Sequence, residues 1–157
     1  MGSVLNESDR TAIEKRMRAL SATSSRRWGS LDVTGMLRHL RLSSLMAVGE
    51  LSVPSVNKRV CQVFPLKHLL LYVVPFPKGA PTAPKLKPDA SPAELNSDGS
   101  MSFEEVRAAV LELLQRIGTG ASDGMGPEHP LFGPLSRREW AVVTYKHADH
   151  HLKQFGA

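Results

Sequence analysis

The chain has 157 residues, 41% of them hydrophobic, and a net charge of +5, which suits one domain over 1–157 with a real core and leaves no room for a second full one. No apolar run approaches the roughly 20 residues that cross a bilayer, and charge comes too early in the first ten residues for a signal peptide, so neither a membrane protein nor a secreted one is expected. The basic pairs Arg26-Arg27, Lys58-Arg59 and Arg137-Arg138 are scattered and lack interleaved aromatics, so they read as solvated helix faces rather than a nucleic-acid surface.

Four segments carry helix period and helix punctuation. The first, about Glu7 to Leu20, spaces Ile13, Met17 and Leu20 by three and four among charged residues and reads as an amphipathic packing helix. The second runs from about Val33 to Glu50 with Asp32 as N-cap. Met36, Leu40, Ser43 and Ala47 share its inner stripe and His39 lies on the same stripe, with Arg38 and Arg41 flanking it toward solvent. The arginines read as solvated or salt-bridged, with an anion-holding role as the alternative.

The stretch from Leu51 to Lys67 has room for one more short helix before His68 and an apolar run that ends at Val74. It holds the single cysteine, Cys61, which rules out an internal disulfide, makes a reducing compartment such as the cytoplasm the expected home, and reads as a small buried apolar residue. From Pro75 to Ser100, six prolines remove backbone donors and helix continuity, predicting a long extended crossover.

The third main helix opens with the capping box Ser102-Phe103-Glu104-Glu105 and should end near Gly118. Its apolar face offers no ligand, so it is scaffold. A glycine-rich link from Gly118 to Pro134 follows, suited to a lid and carrying His129. His129 and His68 read as structural. The fourth main helix starts with a second capping box, Ser136-Arg137-Arg138-Glu139, and runs to about Gln154. Trp140, Val143, Thr144, His147, His151 and Gln154 share one face of it, so the inner stripe turns from apolar to histidine, while Asp149 points nearly the other way.

The result is an all-α fold, a helical bundle with a Pro-rich crossover and one or two extra short helices. Histidines four apart lie about 40° apart around a helix and one turn up, so His147 and His151 can reach one ion, and a core-facing His39 from a neighbouring helix can complete a three-nitrogen face. His150 is the alternative to His151, because three-residue spacing also brings side chains together. No phosphate loop, GxSxG elbow or HExxH motif is present.

His39 in Met36-Leu37-Arg38-His39-Leu40, followed by His147-x-x-x-His151-x-x-Gln154, resembles the DinB/YfiT-like superfamily of metal-binding four-helix bundles. Arg27-Trp28-Gly29, Pro75-Phe76-Pro77-Lys78-Gly79, His129-Pro130-x-Phe132-Gly133 and the end of the last helix extend the likeness, which looks like one uncharacterised branch of that superfamily. The resemblance implies an antiparallel four-helix bundle, a three-histidine site holding zinc or nickel, and a homodimer. By analogy it also implies a transferase that adds a low-molecular-weight thiol to a small electrophile. A metal-dependent hydrolase, for which no carboxylate is well placed although Glu50 lies near the end of the histidine-bearing helix, and a non-enzymatic metal- or partner-binding bundle are the competing expectations.

Overall fold

The computed structural model describes residues 2–55, 59–78, 84–87, 100–120 and 128–157. Among them are five α-helices and no strand: α1 (Glu7–Arg18), α2 (Val33–Ala47), α3 (Leu66–Tyr72), α4 (Phe103–Thr119) and α5 (Arg137–Gln154). Single 3-10 turns lie at Arg59–Gln62 and Pro84–Leu86. No helix among the described residues is long and apolar enough to cross a membrane.

The helix starts are chemically explicit. Asp32 accepts the Gly35 amide of α2 at 2.6 Å, and Ser102 with Glu105 and Ser136 with Glu139 form the two expected capping boxes. Each pairs backbone N–H groups that have no partner inside the helix. Asn6, unremarked in the sequence, caps α1 by accepting from the Asp9 amide at 3.0 Å. The ends fall short of expectation on α1 and α2. Gly49 takes a φ of 82° and turns the chain out of α2, so Glu50 lies beyond the helix and pairs with Arg116 of α4 at 2.5 Å.

α2 packs most extensively on α4, while α1 touches both α4 and α5, and α5 also meets α2. Their shared core takes Ile13 and Met17 from α1, Met36 and Leu37 from α2, Val106 and Leu114 from α4, and Trp140 and Leu152 from α5. Ile13, Met17, Met36 and Trp140 are apolar positions of the expected stripes, whereas Leu37 and Leu152 lie off them and are buried as well; removal of these side chains from water is the main favourable term. Opposite the histidines, Asp149 takes Arg16 of α1 at 2.7 Å, and the same arginine donates to the Ala157 carbonyl at 2.9 Å, which fixes α1 on the outer side of α5.

The segment between α2 and α4 departs most from expectation. The added short helix, α3, begins at Leu66 and takes in most of the apolar run up to Tyr72. Only Leu71 of that helix is buried; it packs with Phe132 and Val143 in a small second cluster. Lys146 of α5, 8% exposed, donates to the carbonyls of Leu70 at 2.5 Å and Leu71 at 3.3 Å. It thereby caps the C-terminal end of α3, where carbonyls lack helical partners and a cation is favoured. Most of the predicted Pro75-to-Ser100 crossover and residues 121–127 of the glycine-rich link lie outside the described residues. Within the crossover, Pro84–Leu86 is a 3-10 turn rather than extended chain.

Candidate metal centre

Two helices bring three histidines to one point. His39 Nε2 lies 2.9 Å from His147 Nε2, and His151 Nε2 lies 3.1 Å from the same atom. α5 supplies two of the rings because positions 147 and 151 are one turn apart; α2 supplies the third because His39 sits on its buried stripe, 5% exposed. One ligand atom from each of the three can be chosen so that all lie within 4.8 Å of one another.

The outer nitrogens decide what these contacts mean. His39 Nδ1 is 2.7 Å from the carbonyl of Leu86, an atom that can only accept, so the proton is on Nδ1 and Nε2 carries a lone pair. His151 Nδ1 is 2.9 Å from Gln154 Oε1. That amide is oriented by its other end, where Nε2 donates to the Trp28 carbonyl at 2.8 Å, so His151 is also protonated on Nδ1. Two lone pairs therefore face His147 Nε2. If that atom bears a hydrogen, one proton serves two acceptors; if it does not, three lone pairs converge.

Adding protons does not relieve the conflict, since burial holds all three imidazoles below the ordinary histidine range. His39 is lowered by burial against a smaller opposing effect of the Leu86 carbonyl. His147 is lowered well below it by burial and then by His39 and His151, and His151 falls to about 3, mainly through burial. A divalent cation held between them would satisfy all three lone pairs at once. Zinc–nitrogen bonds of about 2.0–2.1 Å at tetrahedral angles would separate the ligand nitrogens by about 3.3 Å, a few tenths of an ångström from the two separations to His147, while all three ligand atoms lie within 4.8 Å of one another. The outer hydrogen bonds are of the kind that fix ring orientation in metal sites.

Of the candidates read from the sequence, His39, His147 and His151 come together. His150 does not join them: its ring is held edge-on by Trp28 at 4.8 Å and by Phe76 at 6.0 Å. Phe76 also meets His147 edge-on at 5.7 Å. His68 is exposed and packs beside Phe64 and Tyr72. His129 closes a tight turn whose Leu131 and Phe132 amides donate to its Nδ1 at 3.1 and 3.3 Å. Arg38 donates to the Met101 carbonyl at 3.2 Å and does not border the histidine cavity, nor does Arg41.

That cavity measures about 760 Å³ and is bordered by the three histidines, Trp28, Phe76 and the His129-to-Phe132 turn. Cys61 also borders it and is only half-buried, which corrects the reading of its thiol as a sequestered apolar group. The roles of Gln154 and Leu86 were missed. Gln154 carries a signal, being one turn from His151 on the inner face; a backbone carbonyl at position 86 carries none.

Fold and site together define an all-helical protein with a three-histidine group able to hold a metal ion. The chain belongs to DUF1569, a family of proteins of unknown function, whose pattern it matches over residues 4–157. No curated protein and no solved structure matches it.

Proposed function

We propose that this chain is a DinB-type antiparallel four-helix bundle that binds one divalent transition metal, zinc or nickel, through His39, His147 and His151. The observation that carries this reading is the convergence of three Nε2 atoms with two of the outer Nδ1 protons already committed to Leu86 and Gln154. Three neutral nitrogens leave a coordination position open, as in catalytic rather than structural sites. An ion held there would supply Lewis acidity, favouring the deprotonated form of a thiol or water.

The reaction we favour is transfer of a low-molecular-weight thiol to a small electrophile: the thiol gives up its proton to water, its sulfur forms a bond to the electrophilic carbon, and the displaced electron pair leaves with the leaving group or, in an addition, takes up a proton from water. The chain would act as a cytoplasmic homodimer, in line with its family resemblance. The residues orient the site and exclude water from it, and none is needed as a nucleophile. A hydrolase fits less well, because the cavity has no Asp or Glu among its described lining residues to serve as base, and Glu50 is committed to Arg116.

Metal analysis of untagged protein tests the site. Wild type and His150→Ala should carry close to one equivalent, whereas His39→Ala, His147→Ala and His151→Ala should each lose most of it. Equal metal in all five would reject the assignment. For the reaction, loaded protein is mixed with a thiol and a model electrophile, and consumption no faster than with His147→Ala would reject the transferase.

A further inference from the structure

We infer that the molecule received by the histidine cavity is an uncharged, largely apolar compound of drug-like size. The inference rests on the reading of this cavity as the chamber served by the three histidines, and it names the class of the electrophile.

Three observations support it. The volume of about 760 Å³ lies within the roughly 300–1,000 Å³ typical of small-molecule sites. The walls are aliphatic and aromatic, with Leu40, Met46, Leu114, Phe132 and Val143 among them, and no Asp, Glu, Lys or Arg borders the cavity among the described residues. Its polar groups include uncharged ones such as the hydroxyls of Ser44 and Thr144 and the amide of Gln154. Away from the three histidines, a charged group would leave water without a partner of opposite sign, at a large cost in free energy, whereas apolar surface gains by the same transfer.

Charge is instead sorted to the other side of one wall. Trp28, Phe76 and His150 also border a smaller pocket of about 490 Å³, where Lys78, Lys146, Lys153 and Asp149 gather. Lys78 stands over the Trp28 ring at 5.3 Å and Lys146 over the Phe76 ring at 5.2 Å. The ammonium groups thus lie behind the aromatic wall and leave the histidine side apolar.

The test compares two dyes on protein freed of metal by chelation: neutral N-phenyl-1-naphthylamine and 8-anilino-1-naphthalenesulfonate, which has the same rings plus a sulfonate. The neutral dye should bind at one site per chain, at least tenfold more tightly than the sulfonate. Thr144→Phe and Ser44→Phe, which fill the cavity from α5 and α2, should each weaken it at least tenfold with helicity unchanged by circular dichroism. Phe64→Ser, a change at an exposed apolar side chain, should leave it unaltered. Equal or tighter binding of the sulfonate overturns the inference, as does neutral-dye binding that survives both fillings or disappears in Phe64→Ser. If a filled variant does not fold, the ratio between the dyes decides alone. Failure of the metal assignment would appear in metal content and leave the dye ratio intact; failure here would leave metal content intact.

Discussion

A Cβ added to Gly29 would lie 2.2 Å from Nε2 of Gln154. The backbone at Gly29, with a φ of 83°, lies where L side chains are strained, so the conformation favours glycine, and any added Cβ would push the Gln154 amide aside. Because Gln154 also orients His151, this packing contact reaches the histidine cluster in two steps. Gly29→Ala should displace the amide and weaken zinc binding about tenfold, the lower part of the 10–100-fold range for lost supporting hydrogen bonds. Competition against a chromogenic chelator measures it, and unchanged affinity would contradict the coupling.

Gln154 itself makes a sharper case. Gln154→Leu removes the acceptor for His151 Nδ1 and leaves the Trp28 carbonyl without its donor. Zinc affinity should drop by roughly 10–100-fold. Gln154→Glu keeps an acceptor for His151 while losing the donor to Trp28, and should recover part of that affinity. Identical affinities in the two variants would mean the amide supports packing alone.

The buried histidines set a pH dependence of known sign. His39, His129, His147, His150 and His151 are all lowered in the folded chain, His129 to about 4 and His151 to about 3, whereas unfolded imidazoles titrate near 6.5. Below about pH 6.5 the unfolded chain binds more protons than the folded one, so metal-free protein loses stability as pH falls from there toward 4. Denaturant midpoints between pH 7.5 and 4.5 should decline, and a flat profile would contradict this protonation pattern. Bound metal should persist below pH 6.5, because these nitrogens resist protonation.

Lys146 predicts a local effect. Lys146→Met keeps the stem but removes the ammonium from the Leu70 and Leu71 carbonyls. Stability should fall by about 1–3 kcal/mol, the usual range for a buried polar group left unpaired. Hydrogen exchange should report it first in α3, with α4 protected as before.

The salt bridge between Asp149 and Arg16 provides a contrast. Both side chains are partly exposed, at 20% and 27%, and solvent screening limits such a pair to about 1 kcal/mol or less. Asp149→Ala should lower the melting temperature slightly and leave metal content at the wild-type level. Loss of metal would show that the outer face of α5 is coupled to the inner one.

The parts legible in sequence were those governed by local rules. Ser102-x-x-Glu105 and Ser136-x-x-Glu139 announce helix starts, and the three- and four-residue spacing on α5 places His147 and His151 on one face whatever surrounds them. His150 could be separated from His151 only by knowing that Trp28 and Phe76 lie beside it, which depends on tertiary packing. Cys61 was misread for the same reason: burial depends on what lies across from a side chain. α3 was hard to place because its apolar run is short and has no periodic stripe, and its end is secured by Lys146, distant in sequence.

The carbonyl of Leu86 has one more consequence. It reaches His39 from 47 residues away, so the tautomer that the proposed metal site asks of His39 depends on the docked Pro84–Leu86 turn. Occupancy is then a report on whether assembly is complete. By linkage, an ion bound at the proposed site would favour the form in which that turn is docked, so the backbone that prepares the site would itself be tightened by occupancy.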